Sequence, residues 1–69
     1  MVEGAFYKHP NCIDACIEVL HYFPVPGQDR AEVKVRWWRI KSGRIAYSLG
    51  VKETFIKPKA YWEEWEILS

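Results

Sequence analysis

A chain of 69 residues has room for one domain, residues 1–69, and a hydrophobic content of 49% with 28% charged residues excludes an intrinsically disordered chain. No apolar run approaches the roughly 20 residues of a membrane span, and the N-terminus lacks the basic and apolar regions of a secretory signal. We therefore predict a cytoplasmic protein that does not contact a membrane. The net charge is +1, yet nine of the ten lysines and arginines lie between residues 30 and 59, with acidic residues toward both ends.

The N-terminal segment is predicted to begin a sheet. Residues 4–8 are short and aromatic, which indicates a first strand, and Pro10 ends it because proline lacks the backbone donor that a central strand needs. The two cysteines, Cys12 and Cys16, are too few for the disulfide framework of a small secreted domain. We expect free thiols and a fold that depends on its large aromatic core.

The segment after Pro10 fits two periodicities. A helix over residues 12–22 would place Ile13 and Ile17 on one apolar stripe, which gives an alternative α+β fold with this helix packed on a small antiparallel sheet. A strand over residues 15–23 would instead point Ile17 and Val19 inward. We favour the strand, because β-branched side chains suit a sheet and the segment would pair with the next strand.

The central segment is predicted to form a hairpin. Pro26-Gly27 is placed for the centre of a type II turn. Beyond it, Val33 and Val35 alternate with charged residues, which is the two-residue period of a half-buried strand. Ser42-Gly43 then separates two such runs, and a two-residue loop with glycine in second place indicates a β-hairpin.

The register of this hairpin predicts a bulge. Ile40 faces Ile45 across the turn, but continued pairing sets apolar residues against polar ones beyond Trp37-Trp38. An extra residue there, with both tryptophans opposite Tyr47, restores the agreement, so we predict a β-bulge at Trp37-Trp38. The same register would align six basic side chains on one outward face. They are Lys34, Arg36, Arg39, Lys41, Arg44 and Lys52.

The C-terminal segment is predicted to be structural. The second hairpin strand should continue through residues 52–57. A single turn at 59–62 and a last strand at 64–68 should follow, with Trp65 and Ile67 pointing inward. Truncating this aromatic tail should unfold the domain.

Five short strands, one strongly bent hairpin and a turn before the last strand resemble the SH3-like small β-barrels, the group that includes Tudor and KOW modules. The resemblance covers residues 4–68 at the level of strand order. It implies an all-β, five-stranded SH3-like barrel with a bulged central hairpin. Those barrels are mostly non-catalytic interaction modules, so the resemblance implies binding rather than catalysis.

The six basic residues are the leading candidate site, since guanidinium and ammonium groups on one side of a ribbon neutralise several phosphates at once. The competing explanation for these basic residues is that outward positions of a half-buried hairpin are polar in any case. Lysine or arginine on an exposed edge also discourages pairing with another sheet. Six aromatic residues fit a core better than a cage for a cationic ligand. They are Trp37, Trp38, Tyr47, Tyr61, Trp62 and Trp65. His9, Cys12, Cys16 and His21 lack the paired spacing of zinc sites, so we predict no metal and no other cofactor.

These observations predict a non-catalytic binding module that contacts the backbone of DNA or RNA through its basic hairpin face. The alternative is a protein-interaction or self-associating module that uses an exposed sheet edge or an unburied tryptophan. The acidic ends of one copy would then meet the basic centre of a second. A chain with no phosphate loop, no acyl-transfer motif and little volume for a pocket is not expected to be an enzyme.

Overall fold

The computed structural model describes residues 1–68, which form five strands and one short helix. The elements are β1 (Phe6–Lys8), β2 (Ala15–Pro24), β3 (Arg30–Lys41), β4 (Arg44–Pro58), α1 (Lys59–Glu63) and β5 (Glu66–Ile67). The five strands make one antiparallel sheet in the order β4-β3-β2-β1-β5. The predicted all-β class is therefore confirmed. Within the described residues, no pairing between β4 and β5 closes the sheet into a barrel.

The segment with two possible periodicities is a strand, as predicted, and the helical alternative over residues 12–22 is wrong. β2 pairs with β3 from Ala15 opposite Arg39 to Pro24 opposite Ala31, with one irregularity between Val19 and His21. Pairing with β3 satisfies the backbone of β2 and brings its β-branched side chains onto the core.

The core lies on the face of the sheet that carries Val33 and Val35, here called the core face. Ile17, Val19, Val33 and Val35 are each 1% exposed or less. Burying an aliphatic side chain of this size stabilises the fold by roughly 1.5–3 kcal/mol.

Helix α1 covers the core face with Trp62, which is 4% exposed. The indole Nε1 of Trp62 donates a hydrogen bond of 3.2 Å to the carbonyl oxygen of Ala31. The ring therefore fills the core while its polar atom keeps a hydrogen-bond partner. The predicted turn and last strand are present, but Ile67 is 60% exposed and does not point into the core as predicted. Ile67 pairs with Tyr7, but β5 is a two-residue strand at the edge of the sheet, where this side chain stays in solvent.

The two predicted turns are both confirmed. The backbone N–H of Gln28 donates to the carbonyl of Val25 at 3.2 Å, which closes the turn around Pro26-Gly27. In the hairpin turn, Ser42 has φ +50° and Gly43 has φ +74°. Positive φ at both central residues is the type I′ geometry, whose twist matches that of the flanking strands.

The hairpin is irregular near the two tryptophans, but the predicted position of the bulge is wrong. The extra residues lie on β4, because Arg39 pairs with Tyr47, Trp38 with Ser48 and Arg36 with Lys52. Three β4 residues therefore lie opposite Trp37. Gly50 supports this bulge with φ +72°, a conformation that other residues rarely adopt.

The position of the bulge decides where the basic side chains point. β3 pairs with β2 without interruption from Arg39 to Val35, so strict alternation holds along this part of β3. Arg36 and Arg39 are three residues apart and lie on opposite faces of the sheet. The prediction that the six basic residues share one face is therefore wrong.

Candidate functional site

Three of the six basic residues remain together on the face opposite the core. Lys34, Arg36 and Trp38 alternate with the core residues of β3, and Lys52 lies directly across from Arg36 on β4. We call the surface formed by Lys34, Arg36, Trp38 and Lys52 the open face. Lys34 and Lys52 are exposed, and Arg36 and Trp38 are half-buried.

Glu18 holds the two half-buried side chains in the middle of the open face. Arg36 Nη1 donates to Glu18 Oε1 at 3.3 Å, and Trp38 Nε1 donates to the same oxygen at 3.1 Å. The Phe6 ring packs edge-on against Trp38, with the ring centroids 5.6 Å apart. These contacts hold the guanidinium and the indole in fixed directions.

Two cations on the open face lie at one cross-strand pair. Arg36 and Lys52 are directly opposite each other, and like charges at such a position destabilise a sheet. Arg36 has one acidic partner, Glu18, while Lys34 and Lys52 have no acidic group within 4 Å among residues 1–68. Glu18 and Glu32 lie on the same face by pairing and alternation, so within the described part of the chain the cations without a close acidic partner on the open face are the exposed Lys34 and Lys52.

The other three predicted site residues lie elsewhere. Arg39 Nη1 forms an ion pair of 2.9 Å with Asp14 Oδ2. The Nζ of Lys41 lies 5.5 Å from the centroid of the Tyr47 ring, a residue that pairs with Arg39 and so shares the core-face side. Arg44 follows the hairpin turn and lines a groove at that end of the molecule. Sequence reasoning missed Glu18 and Asp14 as the partners of the two arginines.

The aromatic residues at the helix pack as a cluster and leave no cage between them. The Trp37 ring lies 6.4 Å from that of Trp65, and Trp37 Nε1 donates to Glu53 Oε1 at 2.8 Å. The cavity beside these rings measures about 40 Å³. Such a volume suits a single water molecule rather than a methylated amine.

The two histidines and two cysteines considered as metal ligands lie apart from one another. They are His9, Cys12, Cys16 and His21. His9 lies against the Trp65 ring, with 5.3 Å between centroids, whereas His21 Nδ1 contacts Glu3 Oε2 at 3.2 Å. Across residues 1–68, no group of three or more histidine, cysteine, aspartate or glutamate side chains is arranged to hold a metal ion.

The two thiols differ in exposure. Both cysteines are free; Cys16 is fully buried and Cys12 is half-buried. Burial raises the pKa of the Cys16 thiol, and the negative charge that Cys12 acquires on ionisation adds to the effect. We expect iodoacetamide to label Cys12 much faster than Cys16 in the folded protein, because the thiolate is the reactive form. Peptide mass spectrometry before and after denaturation checks this, and equal labelling of the two thiols in the folded protein would contradict it.

The fold is that of a small all-β domain with two exposed lysines, Lys34 and Lys52, on the face opposite its core. The part of the chain that the structure describes has no helix long and apolar enough to cross a membrane. Comparisons with models of protein families, with curated proteins and with solved structures found no match to this chain.

Proposed function

We propose that this protein is a non-catalytic binding module that holds a nucleic-acid backbone on its open face. The observation that carries the proposal is the direct opposition of Arg36 and Lys52. Placing two cations at a cross-strand pair costs stability in the free protein. An anion that binds between them removes that cost and adds charge-assisted hydrogen bonds.

The neighbourhood of this pair supports a polyanion rather than a single ion. Lys34 lies two residues from Arg36 on the same face, and neighbours at that distance are about 7 Å apart. A row of separated cations matches the repeating charges of a phosphate backbone better than one compact anion.

Trp38 supports a single-stranded ligand. Its indole is half-buried and donates a hydrogen bond to Glu18. Trp38 lies two residues beyond Arg36 on the same face of β3, next to the cations. Proteins that bind single strands combine a cationic groove with aromatic rings on which bases stack. We therefore expect single-stranded oligonucleotides to bind more tightly than duplexes of the same length.

Salt dependence tests the proposal directly. If three cations contact phosphates, the logarithm of the association constant for a single strand should fall against the logarithm of salt concentration with a slope of about −2. Fluorescence anisotropy with a labelled oligothymidine and a matched duplex measures the slope and the preference. The absence of saturable binding at low salt would refute the proposal.

Self-association through the sheet edge, the alternative predicted from the sequence, has weaker support. β4 is an edge strand of 15 residues, but it contains two irregularities in register and carries Lys52 and Lys57. Bulges and lysines are the features by which proteins discourage edge-to-edge pairing. Sedimentation of the free protein shows whether it self-associates. Sedimentation of its complex with the oligonucleotide shows whether one copy or two bind.

A further inference from the structure

The groove at the turn end of the hairpin is a second candidate site, separate from the open face. It has a volume of about 360 Å³ and lies between the N-terminal strand, the loop before β2, the hairpin turn and the end of the described chain. Its walls combine four aliphatic side chains with two cations. They are Ile13, Ile40, Ile45 and Leu68, with Lys8 and Arg44.

The aliphatic walls are not covered by the rest of the domain. Ile13 is 80% exposed and Leu68 is 43% exposed, whereas Ile40, on the floor, is 9% exposed. None of these three residues belongs to the main core cluster on the core face. Apolar surface gathered in a concave site and left in water favours an apolar ligand, because covering it releases that surface from solvent.

The cations determine which apolar ligand fits. Among residues 1–68, neither Lys8 nor Arg44 forms an ion pair with an acidic side chain. A guanidinium binds a carboxylate through two parallel hydrogen bonds, and an ammonium adds a compact charge. A volume near the lower end of the range for ligand pockets suits a small molecule.

We propose that this groove binds a small aliphatic carboxylate, of the size of a medium-chain fatty acid. The alkyl chain lies along Ile13, Ile40 and Leu68, and the carboxylate contacts Lys8 and Arg44. A nucleic acid does not meet these requirements, because it has no aliphatic body to cover the walls.

Calorimetric titration with sodium decanoate, below its micelle-forming concentration, tests the site. Decanoate should bind at one site per chain, while acetate, which lacks the alkyl chain, and decylammonium, which reverses the charge, should bind at least about tenfold more weakly. Arg44→Glu should weaken decanoate binding about tenfold or more, through loss of a charge-assisted contact. Ile13→Asn should also weaken it, and neither exposed position is expected to affect folding.

Lys57→Glu is the matched control, since it makes the same change of charge at an exposed position that is outside the groove and is not paired with Arg44. It should leave decanoate affinity within about twofold of the original protein. Equal binding of acetate and decanoate, equal losses in the Arg44→Glu and Lys57→Glu variants, or no saturable binding would each overturn the proposal.

Discussion

Replacing Trp62 by alanine is expected to lower the free energy of unfolding by about 3–5 kcal/mol, the usual range for deleting a buried tryptophan. The ring is 4% exposed, and its Nε1 donates to the carbonyl of Ala31 at 3.2 Å. The rings of Tyr61, Phe55 and Trp65 also pack around it, with centroids 4.9 to 6.4 Å away. A small domain has only about 5–15 kcal/mol of stability in total, so the variant should be largely unfolded on mild heating.

Trp62→Phe separates packing from hydrogen bonding. The phenyl ring keeps most of the packing but leaves the Ala31 carbonyl without its donor, so its loss of stability should be clearly smaller than that of the alanine variant. Urea denaturation followed by far-UV circular dichroism measures both variants without relying on tryptophan fluorescence. An unchanged midpoint for Trp62→Ala would show that helix α1 is not part of the core.

Reversing the charge of both lysines on the open face, by Lys34→Glu and Lys52→Glu, is expected to weaken oligonucleotide binding by at least about tenfold. The double variant removes the two cations that have no acidic partner within 4 Å in the described chain and replaces them with groups that repel phosphate. Anisotropy at low salt gives the change in affinity.

The control carries the same change of charge on the other side of the sheet. Lys41 and Lys57 are exposed, and each lies over a tyrosine ring on the core-face side, at 5.5 and 5.4 Å. Lys41→Glu with Lys57→Glu should lose much less affinity than the open-face pair. Equal losses would mean that binding follows net charge and does not need the open face.

Lys52→Glu alone should separate function from stability. A carboxylate at position 52 would lie opposite Arg36 and turn an unfavourable cross-strand pair into a favourable one. We expect the free protein to gain roughly 0.2–1 kcal/mol of stability while losing affinity for the oligonucleotide. A gain in stability together with a loss of affinity would show that Lys52 serves binding at the expense of stability. An unchanged affinity would show that Lys52 is only a solvent-exposed surface residue.

The sequence predicts the order and type of the elements because each carries a local signal. Val33 and Val35 alternate with charged residues, Ser42-Gly43 adopts the positive φ values of a tight turn, and Pro58 stands at the end of β4. Residues 12–23 were ambiguous locally, and pairing with β3 decides in favour of the strand. This is a tertiary effect that overrides local periodicity.

The sequence does not predict the site correctly, because the hydrophobic pattern of a hairpin does not say which of its two strands carries a bulge. An irregular pattern in a hairpin can be relieved by extra residues on either strand, and the pattern alone favoured Trp37-Trp38 on β3. Gly50 on β4 was the overlooked signal, since a glycine inside a strand often marks a bulge. Moving the bulge to β4 keeps β3 regular and sends Arg36 and Arg39 to opposite faces.

The groove was missed for a different reason. Its walls come from four separate segments of the chain, so no periodicity or motif joins Lys8, Ile13, Arg44 and Leu68. A hint lies in Ile13, an aliphatic residue that the strand over residues 15–23 leaves unassigned. Only the packing of β1 beside β2 and the fold of the hairpin bring these side chains to one place.

Mapping amide chemical shifts by NMR during titration with a short oligothymidine tests the open-face account most directly. The account predicts that the largest changes occur at Lys34, Arg36 and Lys52 and at the Trp38 indole N–H. It also predicts small changes at Lys41 and Lys57 on the opposite side. Changes concentrated on that opposite side, or no changes at any backbone amide, would contradict it.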